Sequence, residues 1–186
     1  EAYLNDGMTG LGLPLSEDSA DFEDFMVFWD KGGEGSSPVE FTLDLRSVRE
    51  VGRIQLWPAE APHAMEIPQF GFPGKVSVEV SDHPSFKDAK TFAVNNARGR
   101  LHRESLLNVI TGGIKARYIR ITLDDLDQYK GKTLLGLGEI RVSEYDEVWS
   151  HNCRIEASGL PQAALEQLPR LVDGYSRRHR ILREVE

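Results

Sequence analysis

Few side chains in this sequence stand at spacings that support a reaction. The acidic run EDSADFED (17–24) offers carboxylate oxygens to a cation. A solvated acidic loop is the better account of it. DDLD (124–127) holds the Asp-x-Asp pair that metal-dependent glycosyltransferases use, but no nucleotide-binding βαβ pattern surrounds it. GMTGLG does not lie between a strand and a helix, and TGGIK lacks the Gly-Lys-Ser/Thr ending of a phosphate loop. His63, His83, His102, His151 and His179 have no metal-ligand spacing. Cys153 sits in strand-like sequence with no adjacent base to activate it, and reads as a small core residue. No pair of carboxylates stands out for glycoside hydrolysis. Aromatic, amide and cationic side chains instead gather in two loops. Trp57, His63, Phe70 and Phe72 fall between Leu56 and Lys75; Asn95, Asn96, Arg98, Arg100 and His102 follow Val94. Long loops on a rigid scaffold are where binding residues concentrate. Each has a plainer role too: Phe70 and Phe72 can pack their loop onto the scaffold, Trp57 can cap the core, and the arginines can be solvated.

The scaffold must be a strand assembly. Val39, Phe41, Leu43 and Leu45 alternate with polar residues, and Ile54 and Leu56 continue the pattern after a short turn. Val76, Val78 and Val80 form the clearest strand. Phe92 and Val94, then Ile119, Ile121 and Leu123, then Ile140 and Val142 repeat the period of two. Turn clusters such as DKGGEGSSP, FGFPGK, VNNARGR and VITGGIK lie between. The spacing predicts an antiparallel sandwich or barrel.

With 186 residues, 40% apolar and 28% charged, the chain has enough apolar sequence for a core without disulfide or metal. One cysteine excludes an intramolecular disulfide. A net charge of −8 argues against nucleic acid as the partner. No apolar run approaches the roughly 18 residues of a membrane span. The opening EAYLNDG lacks the basic start and apolar core of a signal peptide, and a removed signal leaves no trace. After Trp149 the composition shifts. GLPQAALEQLPRLV has helical spacing and SRRHRILREVE is basic.

Five stretches in order carry a family resemblance: LNDG (4–7), VEFTLDL (39–45), GRIQLWP (52–58), KVSVEVSDHPSFKDAKTF (75–92), and ARYIRITL (116–123) with LGLGEIRVSE (135–144). Together they resemble the discoidin (coagulation-factor type C) domains and the related galactose-binding-like modules of bacterial carbohydrate-active enzymes. The resemblance implies an all-β antiparallel jelly-roll sandwich over 1–148, followed by a partly helical extension, 149–186. It departs from the family in that only Glu1–Tyr3 precede the first Asp-Gly turn. NCRIEAS (152–158) and LVDG (171–174) look like the missing opening, and LNDGMTGLGLPL and LVDGYSRRHRIL align as a weak repeat. The tail is therefore either the start of a second copy or a segment folding back, with Cys153, Ile155 and Ala157 toward the core.

The resemblance implies a structural Ca²⁺ beside the Asp-Gly turn, with Asp6 and Glu139 at the matching positions and Thr9 adding an oxygen. Without calcium, Asp6 only stabilises its turn and Glu139 pairs with an arginine. It also implies loop-borne sugar binding, for which Trp57, His63, Phe70, Phe72, Asn96, Arg98, Arg100 and His102 are the candidates. Rings stack on the C–H faces of sugars, while charged and amide groups bond the hydroxyls. The expected protein is a non-catalytic carbohydrate-binding module of a larger secreted, periplasmic or cell-surface bacterial protein. Its partners would be glycan and the attached domains. A spacer or protein-interaction domain without a sugar site is the alternative.

Overall fold

Alternation of apolar and polar residues decides the architecture. The computed structural model describes residues 24–30, 38–59, 71–101 and 106–174. In chain order the elements are β1 (Phe25–Trp29), β2 (Val39–Pro58), β3 (Lys75–Ser81), β4 (Lys90–Asn95), α1 (Ala97–Leu101), β5 (Leu107–Asp124), β6 (Asp127–Tyr129), β7 (Lys132–Glu144), β8 (Glu147–Val148) and β9 (Arg154–Ser158). A 3-10 helix, Gln162–Leu171, follows. Every strand pairing is antiparallel.

β2 and β5 are each longer than the sequence pattern predicts. The expected turn between Leu45 and Ile54 is a pair of register irregularities inside one strand, between Asp44 and Arg49 and between Val51 and Arg53. Arg46 takes φ 70 there. Asp44 holds the bend by accepting the Arg46 backbone N–H at 2.8 Å and a forked pair from Arg117, Nε at 2.7 Å and Nη2 at 2.8 Å. The Arg117 guanidinium keeps the Asp44 carboxyl below its ordinary range. On β5 the matching irregularity falls at Gly112 and Gly113, with φ of 76 and 77. Glycine is the residue that reaches this region without strain. VITGGIK thus bends a strand instead of ending one.

Because β2 and β5 bend, they serve both layers of a sandwich. The first half of β2 lies in the order β9–β2–β5–β3–β4, and its second half in the order β1–β7–β2–β5. Between the layers Val39, Phe41, Leu43, Val76, Val78, Ile119, Ile121 and Leu123 meet Phe25, Ile54, Leu56, Leu107, Leu135, Leu137, Ile140 and Val142. Phe25 and Phe41 touch edge to face at 5.9 Å across that seam. Burying each such side chain stabilises the fold by about 1.5–3 kcal/mol. The all-β antiparallel sandwich expected from the sequence is the observed fold.

Residues 153–174 are packed into this sandwich. β9 pairs with β2 from Glu40↔Ser158 to Asp44↔Arg154. Cys153, Ala164, Leu168, Leu171 and Val172 join the core, and Ile155 and Ala157 pack against it. The helical spacing of GLPQAALEQLPRLV yields a 3-10 helix containing Pro169, whose missing N–H weakens a longer α-helix. Burial pushes the Cys153 thiol up to about 12, so it serves as a core residue and not a nucleophile. Among the described residues, no helix is long and apolar enough to cross a membrane.

Candidate ligand-binding face

A bulge on β7 places a polar stretch in the second layer. Pairing with β2 runs Trp57↔Glu139 and then Pro58↔Leu137, passing over Gly138. One extra residue flips the faces of a strand. Before the bulge Leu135 and Leu137 face the core; after it Ile140 and Val142 do. Glu139, Arg141 and Ser143 thereby lie on the strand face opposite Ile140 and Val142, the side that also carries Trp57 and Gln55 of β2 and Phe28 of β1, with Glu139, Ser143 and Gln55 buried there.

At one end of this face stands an aromatic pair that the sequence reading missed. Phe28 and Tyr129 meet edge to face at 6.2 Å, and Phe28 is 40% exposed. The Lys130 ammonium lies 5.3 Å from the Tyr129 ring centre. Asp127 precedes Tyr129 by two residues on β6, so the two share a side of the strand. Arg98 Nη2 sits 3.0 Å from Asp127 Oδ1. The same guanidinium donates to the Phe72 carbonyl at 2.7 Å, to Asp125 Oδ2 at 3.3 Å, and to the Asp125 carbonyl. Gly74 N–H donates to that carbonyl as well, at 2.9 Å, and Ala97 N–H to the Gly74 carbonyl at 2.7 Å. Arg98 is therefore a clamp joining residues 71–74, α1 and 125–127.

The sequence candidates divide accordingly. Phe72 is fully buried in the core and offers no surface to a ligand, as its plainer reading held. Phe72→Ala should lower stability by about 3–5 kcal/mol in a denaturant titration through the cavity it leaves. Asn96, at φ 62, accepts the Gly99 N–H on Oδ1 at 3.2 Å and so starts α1. Arg98 is committed to its clamp. Arg100 is exposed, and Trp57 is half-buried opposite Glu139. Asp6, Thr9, His63, Phe70 and His102 lie outside the described residues.

Glu139 is the most unusual titratable group. It is 2% exposed. Oε1 accepts the Gly174 backbone N–H at 3.2 Å, while Oε2 is buried with no hydrogen-bond partner among the described residues. Burial pushes its carboxyl well above the ordinary range, and the charges of Asp173 and Asp24 push the same way. The Gly174 N–H and Arg141 act against them. Among the described residues, the Asp-Gly pair beside Glu139 is that of LVDG (171–174). Among the described residues, no group of three or more His, Cys, Asp or Glu side chains is placed to hold a metal by itself.

No family model matches the sequence, and no curated protein matches it. Solved structures do resemble it. A Streptococcus pneumoniae fucose binding module has 14% identity and a TM-score of 0.41, over 59% of this chain and 69% of its own. The lectin domain of lectinolysin, complexed with Lewis B antigen, has 15% identity and a TM-score of 0.44, over 74% and 89%. A fragment assigned as a chitobiase from Bacteroides thetaiotaomicron has 20% identity and a TM-score of 0.47, over 76% and 78%. Likenesses this distant identify no ligand for this chain.

Proposed function

We propose that this protein is a non-catalytic carbohydrate-binding module of the discoidin, galactose-binding-like kind. It would belong to a larger secreted bacterial protein and hold attached domains near a glycan. The observation that carries the reading is the pair of exposed Phe28 and half-buried Tyr129 beside the clamped Asp127–Arg98 corner. Stacked rings accept the C–H face of a sugar, and charged and amide groups around them bond its hydroxyls. Such a site is weak alone and gains from tethering, which raises local concentration without new chemistry.

A calcium ion fits beside this face. The buried, unpartnered Oε2 of Glu139 next to a second acid is the environment a hard cation relieves. Glu139 and Asp173 would hold the ion, with backbone carbonyls completing its oxygen shell. The ion would stiffen the scaffold and not touch the sugar. In this reading Asp173 takes the position that the family resemblance gives to Asp6.

The test is a glycan array probed with the purified chain in calcium. The expected result is a reproducible hit that Phe28→Ala or Tyr129→Ala weakens at least about tenfold, or ~1.4 kcal/mol. Both rings lie at the surface, so neither variant should lose its cooperative melt. A blank array would overturn the reading in favour of a spacer or protein-interaction domain.

A further inference from the structure

The outward face of the second layer continues beyond Trp57. Gln55 and Arg53 follow on β2, Arg141 and Ser143 flank them on β7, and Asn108 and Ile110 on β5. From Trp57 to Arg53 the strand advances about 13 Å, more than one sugar ring occupies. Ser143 is 1% exposed and Gln55 8%, yet Ser143 Oγ and Asn108 Oδ1 have no hydrogen-bond partner among the described residues. Buried polar atoms in folded proteins are almost always paired, so two orphans across one short stretch of sheet need an explanation. Arg53 at the rim is exposed, and Ile110 beside it is 62% exposed, a large apolar side chain open to solvent. The face therefore combines a polar floor, rotatable amide and guanidinium side chains above it, and apolar surface at each end in Trp57 and Ile110. Glu139 is assigned above to the proposed calcium ion and is not needed here.

Resting on the glycan reading above, we propose that this face holds the internal units of an extended glycan chain. The ligand would be a polysaccharide segment several sugars long, not a single terminal sugar. Rotation of Asn108 and Arg141 would bring their polar groups, and Ser143 Oγ beneath them, to the ligand hydroxyls. Trp57 and Ile110 would cover C–H faces of successive rings.

Calorimetric titration of the full chain, in calcium, with glucan, mannan, galactan and arabinan oligosaccharides of one to six units tests this. Affinity for the bound series should rise at least about tenfold between the monosaccharide and the tetrasaccharide. Asn108→Ala and Ile110→Glu should weaken the hexasaccharide about fivefold or more and leave the monosaccharide unchanged, whereas Phe28→Ala should weaken both. Ile110→Glu changes an exposed site, so it decides the matter if Asn108→Ala fails to fold. Equal affinity at every length, or long-chain binding indifferent to Ile110→Glu, would overturn the extended face and leave the glycan reading standing. No binding to any series would overturn both.

Discussion

Ending the chain at Asn152 should abolish its cooperative thermal transition. The segment removed contains β9, which satisfies one side of β2 from Glu40 to Asp44, and the 3-10 helix. Its loss strips Cys153, Ala164, Leu168, Leu171 and Val172 from the core. At about 1.5–3 kcal/mol for each of the large apolar side chains Leu168, Leu171 and Val172, the lost burial is comparable with the whole stability of an ordinary domain, about 5–15 kcal/mol. The exposed edge of β2 would also invite association between chains. Circular dichroism and calorimetry would check this, with loss of the near-ultraviolet signal and of the melting peak as the expected result. A truncated chain that melts like the full one would overturn it. Leu171→Ala grades the effect. It is fully buried, so a loss of about 2–5 kcal/mol is expected, at roughly 2–4 °C per kcal/mol in a chain of this size. Adding a synthetic peptide of residues 150–186 to the truncated chain should restore part of the transition, because strand pairing and core filling do not require covalent continuity.

The strands were legible because a period of two is written directly in the residues, as in Val76, Val78 and Val80. The continuity of β2 and β5 was not. A bend that keeps a strand going uses the same residues as a turn that ends it, and Gly112 and Gly113 supply positive φ for either. What separates the cases is the partner strand, which local sequence does not name. The aromatic pair escaped for a similar reason. Phe28 lies in FMVFW, whose unbroken apolar run hides which side chains face out, and its partner Tyr129 comes from a hairpin a hundred residues away. Glu139 is singled out by the resemblance, but its environment is not legible in the sequence. The sequence holds two Asp-Gly pairs, LNDG and LVDG, and that LVDG lies against Glu139 is a contact made only by folding. Phe72 and Arg98 looked like loop ligands because their types suit sugars. Burial of one and the hydrogen bonds of the other are tertiary facts.

Glu139→Gln should raise the melting temperature in chelator, by an amount that grows with pH. The carboxyl is nearly fully buried, so its ionised form is penalised in the folded state and not in the unfolded one. Its folded pKa is raised above the unfolded value near 4.5. Below that value both states carry the proton and the group costs nothing. As pH rises through it, the unfolded chain gives up a proton that the folded chain retains. Folding stability therefore falls with rising pH until the raised folded pKa is reached. Asp44 titrates in the opposite sense, losing its contribution as pH falls below its ordinary 3.8, so the difference between wild type and variant isolates Glu139. Glutamine keeps the shape and an acceptor for the Gly174 N–H and removes the charge. Saturating calcium should reverse the ranking. An ion bound only to the folded state adds about 2.7 kcal/mol at a hundredfold excess over its dissociation constant, and only wild type should gain it. Melts of both proteins from pH 5 to 8, with calcium and with chelator, give all four curves. A wild-type gain in calcium that Glu139→Gln loses places the ion on this carboxylate. If calcium moves neither protein while the pH-dependent gap persists, the calcium assignment fails, and Glu139 is a buried neutral acid whose ionisation costs stability. A gap that does not vary with pH would contradict the burial argument itself.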